Sequence, residues 1–265
     1  MHATRAPALP RSVHSCTCAP NSTLSLHSFS IQLVMAFSLY SALVWTSLQL
    51  LMPPAAVSAA AQRACTSLRP MAIGAAAVIG LTAGSGAYVA GNDAGHAYND
   101  WPLFAGRVVP EQIWDSRLGW RNLFENTATV QFDHRSLAYA SLAAVGGVHI
   151  AMKRLGGRDV LPRRVTSAAT LLGLAVAAQA TLGVATLVLY VPIELGVAHQ
   201  AGALALLTAA LNLVHAVHAG AAAGGQAAAS SLGKKMPVAL AALAAVTSAG
   251  FPYLEKAANR GETSD

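Results

Sequence analysis

The sequence predicts an all-α protein, a polytopic transmembrane helical bundle with about five spanning helices and a marginal sixth. Hydrophobic residues make up 54% of the 265 residues and charged residues only 11%, far below the charged fraction of a soluble domain. Apolar runs long enough to cross about 30 Å of hydrocarbon recur along the chain. The net charge of +6 lies in short loops between those runs, which favours an orientation signal over nucleic-acid binding.

The first 28 residues have the composition of a leader. They contain Arg5, Arg11 and several serines and threonines, and the first acidic residue of the chain is Asp93. This composition is typical of an organelle transit peptide, and an unstructured tail fits it equally well. We therefore expect residues 1–28 to be a transit-like or disordered leader.

Two spanning helices are predicted next. An apolar run from Phe29 to Met52 ends at two prolines, which predicts a transmembrane helix over residues 29–54. The small residues from Ala55 to Arg69 predict a basic linker, and a second helix is expected from about Met71 to Ala90. Glycines in that second helix should let a neighbouring helix approach closely.

Three further helices follow a polar loop, which runs from Asn92 to Thr129 and holds five acids. The third helix is expected from about Val130 to Met152, and a basic linker from Lys153 to Arg164 follows it. The fourth helix is expected from about Val165 to Val191 and the fifth from about Glu194 to Val217. Together with the second helix, they predict a four-helix unit.

The last part of the chain predicts a flexible tail. Residues 70–218 hold the four-helix unit, and residues 219–265 follow it. The tail opens with an Ala/Gly/Ser linker from Gly220 to Lys235. An Ala-rich apolar run from Met236 to Tyr253 is interrupted by two prolines, and it is the marginal sixth helix.

Two histidines are placed to face each other. The basic linkers should lie on the side of insertion and the acidic loop on the opposite side, so the third and fifth helices run parallel. His134 and His199 lie a few residues into these helices, at depths that agree to within about a turn. Paired imidazoles on neighbouring membrane helices suit a six-coordinate haem iron. The alternative is that each histidine is only hydrogen-bonded inside the bundle.

A second histidine layer supports a rival interpretation. His149 lies fifteen residues after His134, and His215 lies sixteen after His199. This spacing fits a two-haem electron-transfer cytochrome. We favour the simpler interpretation, in which His149 and His215 snorkel at the interface beside the basic loops.

Several neighbours of the first pair are candidates for supporting roles. Arg135 either neutralises a haem propionate or anchors the helix at the interface, and Gln200 is a candidate cofactor neighbour. Asp133 is expected to cap its helix. Gln179, deep in the fourth helix, is expected to make an interhelical hydrogen bond.

Four sequence motifs carry a family resemblance. GNDAGHAYNDWP begins at Gly91, WRNLFENTATVQFDHR at Trp120, LYVP at Leu189 and AHQAG at Ala198. In this order and spacing they resemble haem A synthase of the mitochondrial type, over about Ser38 to Val217. The resemblance implies an eight-helix fold of two related halves, with each half containing a histidine pair.

The resemblance also implies a function. In this family the second half holds a permanent haem b through the histidines that match His134 and His199. The first half binds haem O and oxidises a ring methyl to the formyl of haem A. The implied setting is the mitochondrial inner membrane, in the lipid bilayer, with a ferredoxin-type electron donor, haem O synthase as a pathway partner and haem A destined for cytochrome c oxidase. A homo-oligomer is left open, and no nucleic-acid partner is expected.

This chain departs from the family pattern in two places. The first half is largely absent, with residues 29–54 resembling its last helix, and counting back from Trp45 puts Gln32 where that half has a histidine. The offset of the family's catalytic glutamate gives Gln131 here, as expected for a second half. We therefore expect a truncated haem A synthase with no catalytic residue of its own. The rivals are the two-haem cytochrome and an assembly subunit without haem.

Overall fold

The computed structural model of the chain describes residues 22–222. All regular secondary structure among these residues is helical, in seven α-helices and two short 3-10 helices, Ala94–His96 and Gly119–Arg121. The α-helices are α1 (Ser22–Leu51), α2 (Ala59–Gly91), α3 (Asn122–Glu125), α4 (Thr127–Arg154), α5 (Gly157–Val160), α6 (Arg163–Val188) and α7 (Ile193–Ala222). The predicted all-α bundle is confirmed. The expected leader up to residue 21 and the marginal sixth helix lie outside the described residues.

Four described helices, α1, α2, α6 and α7, are long and apolar enough to cross a membrane. The third predicted helix, α4, is not among these four; it has 28 residues, so it is about 42 Å long at 1.5 Å per residue. Its polar side chains set it apart, and three of them, Gln131, Arg135 and Ser141, are buried in the bundle. The chain is thus a multi-pass membrane protein in which the most polar long helix turns its polar groups inward.

The predicted linker from Ala55 to Arg69 is wrong over most of its length. From Ala59 onward this segment is the first part of α2, and the side chain of Ser58 caps it by accepting the N–H of Ala61 at 3.1 Å. The segment is rich in alanine, which has the highest helix propensity. Pro70 lies exposed inside the helix and does not end it.

The fifth predicted helix also continues further than expected, because α7 ends at Ala222 instead of about Val217. Its last turns pack against the newly found start of α2. A Cβ on Gly220 would lie 2.6 Å from the Sγ of Cys65, which is fully buried. Only glycine allows this close crossing of the two backbones.

The core is a ring of four helices. α2 and α6 each pack against both α4 and α7, so α4 and α7 lie diagonally across the bundle. The centre is filled by fully buried side chains, among them Leu68, Ile79, Val148, Leu172 and Leu213. Side chains of both α4 and α7 can therefore point into the space between these two helices.

Helix α1 packs outside this ring, against α2 and α7. The hydroxyls of Tyr40 and Thr208 are hydrogen-bonded at 2.7 Å, and the guanidinium of Arg164 donates to the carbonyl oxygen of Met52 at 3.1 Å. From Ile31 onward, most other α1 side chains are exposed. Since lipid solvates apolar side chains well, these polar contacts help to hold α1 in place.

The segment between α2 and α4, residues 92–126, is ordered and is called the cap loop. Asn122 is fully buried, and its amide donates to the carbonyl oxygens of Asp115 at 2.8 Å and Gly119 at 2.7 Å. The side chain of Asn126 accepts the N–H of Ala128 at 2.9 Å and caps α4. Asp133 is therefore not the cap that the sequence predicted, because the helix begins at Thr127.

Candidate functional site

His134 and His199 face each other across the diagonal of the bundle. Their ring centroids are 6.5 Å apart, with the ring planes at 82°. Both side chains are half-buried. The pairing that the sequence predicted is thus present in the structure, and their role as iron ligands stays a prediction.

The spacing of the two rings fits a metal held between them. Two metal–nitrogen bonds of about 2 Å, with about 1 Å from each nitrogen to its ring centre, put the centres about 6 Å apart. The described residues contain no group of three or more His, Cys, Asp or Glu side chains that could hold a bare ion. A porphyrin supplies four ligands of its own, so this pair suits a haem iron.

Glycines on the flanking helices make room for both rings. A Cβ on Gly86 of α2 would lie 3.3 Å from Cε1 of His134, and a Cβ on Gly183 of α6 would lie 2.8 Å from Cε1 of His199. Each imidazole therefore rests directly on the backbone of a neighbouring helix. The sequence offered a signal for these contacts in its intramembrane glycines, but no way to assign them.

The hydrogen bonds of Ser85 favour one tautomer of His134. The Ser85 hydroxyl donates to the carbonyl oxygen of Thr82 at 2.8 Å, and its oxygen lies 2.8 Å from Nδ1 of His134. With its single proton directed to Thr82, the hydroxyl oxygen accepts from Nδ1–H of the histidine. The lone pair of His134 is then on Nε2, as metal ligation through that nitrogen requires.

Gln179 holds His199 from α6. Its amide nitrogen lies 3.1 Å from Nδ1 of His199 and donates to the backbone oxygen of the same residue at 2.8 Å. The predicted interhelical hydrogen bond of Gln179 is confirmed. The sequence did not indicate that its partner is His199, twenty residues away.

Arg135 is directed into the cap loop. Its guanidinium donates to the carbonyl oxygens of Leu103 at 3.1 Å and Tyr98 at 2.9 Å, and it lies 4.1 Å above the ring of Phe104. The side chain is only 8% exposed. These contacts favour the anchoring role over the propionate role, which stays a prediction.

Gln131 works beside this arginine. Its Oε1 accepts from Arg135 at 3.1 Å, and its amide nitrogen donates to the carbonyl oxygens of Ala94 at 2.6 Å and Tyr98 at 3.1 Å. We call Gln131 and Arg135 the loop clamp. Gln200, the other predicted neighbour of the histidines, is exposed on α7, and Gln32 is exposed on α1.

The second histidine layer does not form a comparable pair. Nδ1 of His149 lies 2.9 Å from the carbonyl oxygen of Val145, and its ring packs against Gly173 of α6. Nδ1 of His215 accepts from the Arg164 guanidinium at 2.7 Å, and its ring contacts Trp45 at 5.2 Å. The snorkelling role expected for His215 is wrong, since only 2% of it is exposed.

The carboxylates of the cap loop are occupied by local partners. The Arg117 guanidinium lowers the pKa of Asp115 to about 2 by donating hydrogen bonds to it. Backbone N–H groups, that of Ala105 first, lower the pKa of Asp100. Ion pairs also join Arg107 to Glu111 and Arg121 to Glu125, each at 2.6 Å. Local pairs of this kind indicate a structural role for the loop's charges.

The comparisons with known proteins agree with the resemblance. The profile of the COX15-CtaA family, described as cytochrome oxidase assembly protein, matches residues 20–211. Heme A synthase COX15 of Arabidopsis thaliana is 43% identical over 72% of this chain and 41% of its own length, and that of Homo sapiens is 43% identical over 72% and 45%. Heme A synthase of Rhodospirillum centenum is 43% identical over 69% and 47%.

The extent of these matches defines what they establish. The chain spans less than half the length of these curated relatives. No solved structure matches it. The matched residues include both α4 and the part of α7 that carries His199, together with the cap loop. With the profile covering well over half of its residues, the chain belongs to the COX15-CtaA family of cytochrome oxidase assembly proteins.

Proposed function

We propose that this protein binds a haem b between His134 and His199 and serves haem A synthesis, the oxidoreductase reaction that converts the methyl of haem O to the formyl of haem A. The observation that carries the proposal is the facing pair of imidazoles, 6.5 Å apart between diagonal helices. The names of the relatives, heme A synthase, support the reaction class.

The site's own residues support electron transfer over substrate oxidation at this haem. When bound, the haem supplies a one-electron carrier. A haem held by both His134 and His199 would have no coordination position open to an oxidant or a substrate. Ser85 orients His134, and Gly86 and Gly183 leave room for the two rings to lie directly against α2 and α6. The proposed role of this helix ring is to carry single electrons between a redox partner and the site at which haem O is oxidised.

The proposed setting follows the eukaryotic relatives. It is the mitochondrial inner membrane, with haem O as substrate, haem O synthase as the enzyme that supplies it and a ferredoxin-type protein as the electron source. The bilayer contacts the exposed apolar faces of α1, α2, α6 and α7. Gln131, in the position where the family offset seeks an acid, is an amide and cannot act as a general base near neutral pH.

The test is the haem content and product of the purified full chain. We expect one low-spin haem b per chain. Supplied with haem O and reductant, the protein alone should form no haem A, because its described helices contain a single facing histidine pair and a glutamine in place of the acid. Haem A made by this chain alone would refute the half-enzyme interpretation. Protein purified without haem would refute the proposed site.

A second prediction concerns membrane orientation. The basic residues of segment 153–164 should face the matrix and the cap loop, residues 92–126, the intermembrane space. Protease added to mitoplasts should then cut within the cap loop and leave segment 153–164 intact. Cleavage confined to segment 153–164 would show that the protein has the opposite orientation.

A third prediction separates this protein from a two-haem cytochrome. Replacing His149 and His215 together by alanine should leave the haem-to-protein ratio unchanged, because each ring is engaged by its own partners, Val145 for one and Arg164 for the other. Pyridine haemochrome spectra measure the ratio. A halved ratio would instead support two haems.

A further inference from the structure

We infer that Gln179 is a positioning residue for the proposed haem: its amide makes a half-turn so that Oε1 accepts the proton on Nδ1 of His199 when Nε2 of that ring binds the iron. The inference rests on the proposed function. It starts from two observations at one side chain. Oε1 of Gln179 is buried without a hydrogen-bond partner, and Nε2 of the same amide points at Nδ1 of His199.

The first step concerns the proton on the imidazole. An amide N–H can only donate, so the contact at 3.1 Å requires a lone pair on Nδ1 of His199. A neutral ring with that lone pair carries its proton on Nε2. A ring in this tautomer cannot ligate iron through Nε2, because the same nitrogen must supply the bonding pair.

The second step concerns what iron binding demands. Once Nε2 of His199 donates its pair to the metal, the ring proton moves to Nδ1 and needs an acceptor. Oε1 of Gln179 belongs to the amide already in contact with Nδ1 and has no other partner. A half-turn of the planar amide exchanges Oε1 and Nε2 and gives up the 2.8 Å bond to the His199 carbonyl, so the amide must also draw back from that oxygen, because two acceptors repel at this distance.

The two histidines differ in this respect. Ser85 already accepts from Nδ1 of His134, so His134 has its Nε2 lone pair available as it stands. His199 lacks such an acceptor until Gln179 turns. The amide of Gln179 is therefore the group that must turn when iron binds. The donor strength of His199 then depends on Gln179.

Gly202 provides an independent observation. A Cβ at this position of α7 would lie 2.2 Å from Oε1 of Gln179. The amide can occupy its present place, and exchange its ends there, only because residue 202 has no side chain. Gly202→Ala should thus displace the amide without touching either histidine directly.

The expected consequence is electronic. An acceptor on Nδ1–H makes the imidazole a stronger donor to the metal, which stabilises the ferric state and lowers the reduction potential. Gln179→Glu supplies a permanent charged acceptor and should lower the potential of the bound haem. Gln179→Leu removes the acceptor and should raise it, with haem affinity about 10–100-fold weaker. Shifts of opposite sign are not expected from a side chain that only packs.

The test measures reduction potential, low-spin electron paramagnetic resonance and haem retention on the purified full chain. Gln62 is the matched control, since its amide also makes an interhelical bond, to the carbonyl oxygen of Ala221 at 3.2 Å, away from both ligands. Gln62→Leu and Gln62→Glu should leave the haem spectrum and potential unchanged. Haem in the unmodified protein with equal or absent shifts in both Gln179 variants overturns this inference and leaves the proposed function intact.

A double-substitution cycle keeps the test decisive where Gln179→Glu fails to fold. Gly202→Ala alone should weaken haem binding at least about tenfold. In a Gln179→Ala background, the same change should cost little, because there is no amide left to displace. Additive effects would overturn the inference. An unmodified chain that holds no haem overturns the proposed function and this inference together.

Discussion

Replacing His134 or His199 by alanine should abolish the haem spectrum of the purified protein. In the proposed site each ring would supply one bond to the iron across the 6.5 Å between the ring centroids, and alanine offers no ligand in its place. We expect the Soret band of bound haem to fall to background in either variant. Optical spectra at matched protein concentration, with haem supplied during expression, provide the measurement.

The control is His218→Ala. This histidine is half-buried and lies against Trp45 at 5.9 Å, so its removal perturbs a helix contact without touching the proposed ligands. It should retain full haem content. Variants of His134 and His199 that both keep an unchanged low-spin spectrum would place the haem elsewhere in the protein.

The second large effect is expected from Arg135→Leu. The guanidinium is almost fully buried and donates to two loop carbonyls and to Gln131. Hydrogen bonds to charged groups contribute about 1.5–3 kcal/mol each, so we expect the cap loop to lose roughly 3 kcal/mol or more of its stability. Limited proteolysis should then cut residues 92–126 much faster than in the unmodified protein.

A matched surface variant completes that experiment. Arg117 forms an exposed pair with Asp115, and such pairs contribute little, so Arg117→Leu should leave the rate of loop cleavage nearly unchanged. If Arg135 instead binds a haem propionate, the opposite result is expected for Arg135→Leu. Haem affinity then falls while the rate of loop cleavage stays the same.

Much of the architecture was accessible from sequence, and the reason is the bilayer. Apolar runs must be helical where no water can satisfy the backbone, which is why the runs beginning near Phe29, Met71, Val165 and Glu194 all correspond to helices. The segment from Ala59 to Arg69 is predicted as a linker on its small residues and arginines, yet it forms the first turns of α2. The high helix propensity of its alanines explains the difference.

The histidine pair was also accessible, since equal depth on parallel helices is a matter of counting residues. The roles of their neighbours were not. Consecutive residues on a helix point about 100° apart. Arg135 therefore reaches the cap loop, although His134 beside it in sequence points into the space between α4 and α7. Gln200 is exposed beside His199 for the same reason. Contacts such as that of Gln179 depend on how helices pack.

The loop clamp has a consequence for which substitutions the cap loop can accept. Gln131 and Arg135 bind the main-chain oxygens of Ala94, Tyr98 and Leu103, and not their side chains. Every amino acid presents the same carbonyl group. Exposed loop positions such as Leu103 can therefore diverge freely among related proteins while the loop keeps its shape, whereas the two clamping positions on α4 cannot.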